Sequence, residues 1–397
     1  MPTTISPTET SGPATAQTIE RLPFVEGIRG IAALVVVLGH ISTSGGYMAN
    51  YTASFFTAPL GEKLLWFSWP GTQMVYLFLM ISGFSLAYSE DRRRLSGRAT
   101  TNSVFARRRA WRILPTYYVA VALGLLVLAL IPNHLFGSVD DFTPGPVTWG
   151  GVLSHLALVH NVDSACMHQI NAPLWSMATE AQLYILFPLL YLASRRYSPL
   201  YVLAAAVAVD LGLHVVKQEE FWLLFLLRWF ALGVFLAHVY RTDFVKRFSP
   251  RLLAAGGTFF LVLAWLRLPQ FGSERAQDVL WGAGFGLLLL AMTASPGARL
   301  NPVNASPVRW LGLRSYSLYA LHIPVVLAVY GGLGALGMAT GAARTALMFL
   351  IGLPLVFLVV ELGYRCVELP ALRRVRAVGK PSDRTERRPV ELAVDRA

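Results

Sequence analysis

Apolar stretches separated by short polar links recur along the whole chain, at 28–44, 72–88, 112–131, 173–193, 199–216, 220–240, 251–267, 279–295, 315–335 and 344–365. Each is roughly 15–25 residues long, which as an α-helix matches the thickness of a bilayer's hydrocarbon core. The pattern predicts an all-α, polytopic transmembrane helix bundle of about ten spans. A further stretch, 147–160, is shorter and contains His155 and His160. Whether it crosses decides the side on which every later link falls.

The basic residues answer that question, because Lys and Arg collect on the cytosolic side of membrane proteins. With the N-terminus inside, Arg92, Arg93, Arg94, Arg98, Arg107, Arg108, Arg109 and Arg112 fall in the cytosolic link after the second span. The next link, 132–146, carries no Lys or Arg and belongs outside. If 147–160 does not cross, Arg195, Arg196, Arg241, Lys246, Arg247, Arg251, Arg299, Arg309, Arg314 and the tail from Arg365 are cytosolic too. Lys63, Lys217, Arg267, Arg275 and Arg344 remain outside, and Arg228 lies within a span. An eleventh crossing inverts most of this bias. The stretch 147–160 is therefore expected to lie on or dip into the outer face, with both termini cytosolic.

Composition agrees. Of 397 residues, 55% are hydrophobic and 14% charged, where a soluble domain carries about 25% charged residues. The net charge of +12 sits in the links and the tail, so it reads as a topology signal and not as a nucleic-acid surface; the bilayer is the expected partner. Cys166 and Cys366 are too few for a disulfide framework and fall on opposite sides of the expected topology, so no bridge is expected. Residues 1–20, rich in Thr, Ser and Pro, read as disordered, 21–376 as one membrane domain, and 377–397 as a mixed-charge cytosolic tail. A cleavable signal peptide is the alternative for Arg29 and the apolar run after it, but the charge pattern works better with that segment kept as an anchor. The expected location is the inner (cytoplasmic) membrane.

Ionisable groups inside a bilayer cost several kcal/mol, so each needs a reason. Arg29 and His40 are eleven residues apart, about 20° beyond three helical turns, and so share a face about 16 Å apart along the axis. A cation at the cytosolic mouth and an imidazole at mid-membrane suit an anionic donor entering from the cytosol, with His as general base. The plainer reading makes Arg29 a topology charge and His40 a helix–helix hydrogen bond. Glu180, in PLWSMATEAQLY, is expected in the outer half, with Ser176 and Tyr184 each four residues away on its face. It can orient a sugar hydroxyl or a catalytic His, or simply be a structural carboxyl held by hydrogen bonds. Arg109 and Arg112 are three apart on one face and can clamp a phosphate, although arginines are expected there on topology grounds alone. Ser82–Gly83 marks a close approach of backbones or of a ligand. Tyr319 and His322, in SYSLYALHIP with Ser315 and Tyr316, share a face in the cytosolic half and can line a donor tunnel or merely pack. No glycine-rich phosphate loop, zinc spacing, GxSxG elbow or HExxH helix occurs.

The ordered segments VEGIRGIAALVVVLGH, LFLMISGF, RRRAWRILPTYY, PLWSMATEAQLY, LGLRSYSLYALHIPV and CVELP resemble the acyltransferase 3 family over roughly residues 22–376. Each motif is weak alone; their order and spacing together are specific. The family's Arg, ten residues and His correspond to Arg29 and His40. Its Arg-x-x-Arg pair corresponds to Arg109 and Arg112, and its Trp-Ser-x-x-x-Glu segment to Trp175, Ser176 and Glu180. Two departures are visible: Glu26 stands where an Asp is usual, and Arg314 makes the order LGLRS instead of LGRIS. The SGNH esterase-like domain fused to some members is not found.

The resemblance implies transfer of an acyl group, usually acetyl, from coenzyme A to a hydroxyl of a carbohydrate, glycolipid or glycosylated or macrolide natural product. It implies His40 and Glu180 as catalytic residues, Arg29, Arg109 and Arg112 on the donor's phosphates, and no metal. Ser82, Trp175, Ser176, Tyr184, Tyr319 and His322 are expected to line the substrate path, with Glu180 positioning His40 or the acceptor from the outer side. A separate extracytoplasmic partner is a further expectation. The rival class is a transporter or flippase, in which the same residues form a proton relay and an anion site; the chain lacks evident inverted-repeat symmetry. A receptor or scaffold would leave His40 and Glu180 without a purpose.

Overall fold

Every predicted run becomes helical in the structure, a computed structural model that describes residues 22–44, 55–56, 60–97, 100–132, 135, 146–216, 222–268, 273–294, 303 and 305–378. The polar N-terminal segment and nearly all of the tail lie outside the described residues. In chain order the principal helices are α1 (Pro23–Ser44), α2 (Gly71–Leu95), α3 (Asn102–Leu130), α4 (Trp149–Leu156), α5 (Leu174–Arg196), α6 (Pro199–Val215) and α7 (Trp222–Arg241). They continue with α8 (Pro250–Leu266), α9 (Glu274–Ala294), α10 (Ser306–Leu313), α11 (Ser315–Ala335) and α12, a continuous helix over Ala342–Ala377. Local chemistry sets several starts. The hydroxyls of Thr101, Thr148 and Ser198 accept backbone N–H groups of the first turns of α3, α4 and α6, satisfying donors that a helix end leaves over.

Among the described residues, seven helices are long and apolar enough to cross a membrane, so this is an all-helical, multi-pass membrane protein. Three of the predicted spans fall outside that set. α6 and α8 have 17 residues each, a rise of about 26 Å against a hydrocarbon core of about 30 Å. α5 is longer, at 23 residues, but begins inside the bundle. Asn171, just before it, donates to the Ala320 carbonyl at 3.0 Å, and Ser176 lies 2.6 Å from the Tyr319 hydroxyl. Both partners lie little more than one turn into α11.

Residues 149–167 fold above that buried start. α4 has 8 residues, a rise of about 12 Å, too short to cross. The Tyr117 hydroxyl of α3 donates to the His155 carbonyl at 2.7 Å. The rings of His155 and His160 stack with centroids 3.8 Å apart, and both residues are fully buried. Burial pushes His155 down to about 4; burial and then the neighbouring His155 push His160 down to about 3. Unfolded imidazoles titrate near 6.5. Between that value and about 4 the unfolded chain binds protons that the native pair does not, so stability is full above about pH 6.5 and falls as the pH drops. Thermal unfolding in detergent should show a melting temperature that declines from pH 7 to pH 5. A folded His155→Gln/His160→Gln variant should show a shallower slope; an unchanged slope would mean the pair does not titrate this way.

Two glycine crossings set the packing. A Cβ on Gly233 of α7 would lie 1.9 Å from the Met80 carbonyl oxygen of α2, and one on Gly83 would lie 2.2 Å from the Phe230 carbonyl oxygen of α7. These helices touch backbone to backbone, as small residues permit in membranes. Gly30 of α1 meets Gly312 of α10 in the same way, its Cβ 2.6 Å from the Gly312 nitrogen. The intramembrane Arg228 is neutralised by Asp210 of α6 and, at 2.6 Å, by Asp278 of α9. Arg344 is buried, with its guanidinium 2.6 Å from the Tyr330 carbonyl oxygen and 2.9 Å from that of Met338. It serves the carbonyl end of α11, where a cation is favourable. Cys166 and Cys366 are both free thiols.

Candidate active site

The Gly30–Gly312 contact fixes the relative height of α1 and α10. Ten residues onward from Gly30 is His40, and ten onward from Gly312 is His322. α1 packs against both α10 and α11, which are separated by a turn at Arg314, and this packing brings the two imidazoles together. His40 Nδ1 and His322 Nε2 are 2.7 Å apart. His322 is fully buried, and its Nδ1 lies 3.0 Å from the Leu318 carbonyl oxygen one turn earlier.

About three turns back along α1, a second polar cluster surrounds Glu180 of α5. The Tyr184 hydroxyl donates to Glu180 Oε1 at 2.6 Å, and Ser82 Oγ of α2 donates to the same oxygen at 3.1 Å. Ser82 also lies 2.9 Å from the Tyr184 hydroxyl. Arg109 of α3 stands over the Tyr184 ring, 5.3 Å from its centroid, within electrostatic reach of Glu180. Arg112 stands over Tyr316 of α11 at 5.7 Å, and Arg29 over Phe78 of α2 at 5.6 Å. Between these side chains lies a narrow cavity of about 30 Å³ lined by Arg29, Val75, Phe78, Leu79, Ser176, Met177, Glu180, Ser315, Tyr316 and Tyr319. It has room for about two waters. Arg29 Nε and Ser315 Oγ, both on its lining, are buried without a hydrogen-bond partner, as is Nε of Arg109. Unsatisfied buried donors of this kind suit an oxygen-rich anion.

The structure thus joins most of the predicted residues, in two neighbouring clusters. Glu180 was expected in the outer half, positioning His40 from beyond. In the structure it lines the cavity together with Arg29 and Tyr319, and α5 starts inside the bundle. The ring bonded to His40 is His322, which was expected to line the substrate path. Tyr319 connects the two clusters: it lines the cavity, and its ring centroid is 6.0 Å from that of His322. Ser82 bonds Glu180, while its neighbour Gly83 serves the α2–α7 contact. Trp175 packs at the edge of the core and is not among the residues lining the cavity. Arg314, the displaced arginine of LGLRS, pairs with Glu361 of α12 and stacks over Trp310 and Tyr364 at 4.2 and 4.4 Å, which makes it a structural tie between α10 and α12.

Sequence reasoning missed Glu368. A π-helical turn, Tyr364–Glu368, interrupts α12 and turns this carboxylate inward. It accepts from the backbone and hydroxyl of Ser317 at 3.1 and 2.6 Å, leaves Oε1 buried without a partner, and lies within electrostatic reach of Arg112 and Arg29. An acid inside the CVELP segment was the available signal.

Acyltransferase MdmB of Streptomyces mycarofaciens is 29% identical over 180 residues, covering 45% of this chain and 41% of the relative. Peptidoglycan O-acetyltransferase OatA of Listeria monocytogenes is 22% identical over 339 residues, covering 77% of this chain and 49% of the relative. The chain therefore spans under half the length of either. No solved structure matches. The family model for an acyltransferase domain matches residues 22–362, which takes in both histidines, the three arginines and the Glu180 cluster, and the chain belongs to the acyltransferase 3 family.

Proposed function

We propose that this protein is an integral O-acyltransferase of the inner (cytoplasmic) membrane. It moves an acyl group, acetyl in the simplest case, from acyl-CoA to a hydroxyl of a carbohydrate, glycolipid or glycosylated or macrolide natural product. The observation that carries the proposal is the arrangement on α1: Arg29 at an anion-ready cavity and His40 about 16 Å further along the same face. The extended pantetheine arm of acyl-CoA spans such a distance. In this reading the donor's phosphates meet Arg29, Arg109 and Arg112 from the cytosol through charge-assisted hydrogen bonds. The arm passes Glu180, Ser82 and Tyr319, and the thioester reaches His40. Because the cavity admits only waters, α2, α5 and α11 must part for the donor to enter.

Two routes balance at His40. As general base, it takes the proton of the acceptor hydroxyl while that oxygen bonds the thioester carbon. The carbon–sulfur bond breaks, and His40 returns the proton to the thiolate, releasing coenzyme A. As nucleophile, it bonds the thioester carbon and the carbon–sulfur bond breaks, releasing the thiolate; the acceptor oxygen then bonds the acyl carbon, the acyl–nitrogen bond breaks, and the hydroxyl proton goes to the thiolate. Glu180, with Ser82 and Tyr184, holds the arm or the acceptor in register. The printed names of the relatives, an acyltransferase and a peptidoglycan O-acetyltransferase, favour a hydroxyl acceptor, which a separate extracytoplasmic partner can present.

The test compares a deletion strain with the same strain carrying the gene. Mass spectrometry of surface glycans and secreted metabolites should reveal one class of molecule that loses an acyl increment in the deletion and regains it on complementation. Identical acylation profiles, together with purified protein that binds no acetyl-CoA, would sink the proposal and favour a transporter.

A further inference from the structure

The hydrogen bonds around His40 have a fixed direction, because one end of the chain of bonds can only accept. The Leu318 carbonyl carries no proton, so His322 Nδ1, 3.0 Å away, must donate to it. A neutral imidazole has a single N–H, so His322 Nε2 holds a lone pair. That lone pair faces His40 Nδ1 at 2.7 Å. With both rings neutral, His40 Nδ1 carries the proton and donates it, and the lone pair of His40 resides on Nε2. The ring planes are 5° apart and the centroids 5.0 Å apart. Two imidazoles reach that separation when the 2.7 Å N···N axis runs through both ring centres, so the rings lie end to end in one plane. The bond is therefore in-plane and aimed along the lone pair.

We propose that His322 is a positioning residue that locks His40 in its Nδ1–H tautomer and so presents Nε2 as the atom that takes the proton or the acyl group. The inference rests on the reading of His40 as base or nucleophile and adds the atom, the tautomer and the partner. His322 is itself held by the backbone of α11, so α11 sets the orientation of a ring on α1. Once Nε2 has taken a proton, the Nδ1–H of the imidazolium still has an acceptor, and positive charge can spread toward a second ring within a water-poor bundle. A neutral acceptor here does what a carboxylate does for histidine in other acid–base sites, without adding a buried negative charge.

The first measurement needs no variant at position 322. With ¹⁵N-histidine-labelled protein in detergent, and the His40 signals assigned by their loss in His40→Gln, His40 should show protonated Nδ1 and unprotonated Nε2. The opposite tautomer would overturn the lock. The second is kinetic. His322→Phe keeps a buried ring but offers no acceptor; acetyl-CoA hydrolysis or transfer should fall about 10²-fold or more with acetyl-CoA affinity unchanged. His322→Gln, whose amide oxygen can accept from Nδ1–H, should recover part of that loss. Full turnover in folded His322→Phe, with His40→Gln inactive, would overturn the lock and leave His40 as the base. Full turnover in both variants would remove His40 from the chemistry and the lock with it.

Discussion

Replacing His40 by Ala should reduce acyl transfer by about 10²–10⁴-fold, the usual cost of losing a general base. Expression and donor binding should survive, because Arg29 lies about 16 Å away along α1. The loss should appear in kcat and leave the acetyl-CoA Kd unchanged, the signature of an interaction made in the transition state only. His40→Gln separates chemistry from packing. An amide can keep a hydrogen bond toward His322 but cannot take up a proton at neutral pH. Near-normal turnover in the Gln variant would return His40 to a helix–helix contact, and the base would have to be sought at Glu180 or His322. The measurement is single-turnover release of coenzyme A by purified protein, beside a binding isotherm for acetyl-CoA.

A comparable effect, on binding instead of turnover, is expected at Arg109 and Arg112. Removing either guanidinium should weaken acyl-CoA binding by about 1.5–3 kcal/mol if each makes a charge-assisted bond to phosphate, which is about tenfold to more than a hundredfold in Kd. Lys should rescue only part of this. Arg109 lies over the rings of Phe105 and Tyr184, and Arg112 over Tyr316; a lysine keeps the charge but loses the flat stacked fork that these rings hold in place. Binding of acetyl-CoA beside dephospho-coenzyme A would also report which phosphate each arginine serves. Unchanged donor affinity in a folded Arg109→Ala/Arg112→Ala protein would leave both as topology signals with no part in the site.

Much of this was legible in the sequence because a bilayer imposes simple rules. An apolar run of span length has to be helical, since no water is available to satisfy an open backbone, and all the predicted runs are helices. Helical periodicity alone put Arg29 and His40 on one face, and Ser176 and Tyr184 on the face of Glu180. The ordered motifs were enough for the family. Ser82 and Gly83 needed the fold to be told apart, because adjacent residues on a helix point in different directions: Ser82 toward Glu180, Gly83 into the α7 backbone.

Depth and partnership belonged to the tertiary structure. Hydropathy marks where an apolar run begins, not how far into the bundle its first turn is drawn. Residues 149–173 fold inward and carry the start of α5 to the level of Tyr319, and Glu180 lines the cavity with Tyr319 and Arg29. The His40–His322 bond joins residues 282 positions apart, in a bundle where glycines at 30 and 312 let α1 and α10 meet backbone to backbone. Glu368 is aimed inward by a π-turn whose extra residue leaves no mark in the hydropathy pattern. The sequence by itself determined which segments are helices, which faces are polar and to which family the chain belongs, because those follow from local periodicity and ordered motifs. The register of one helix against another, and with it the pairing of His40 with His322, was decided only by close packing, where backbone contact at a few small residues sets the height of every side chain along both helices.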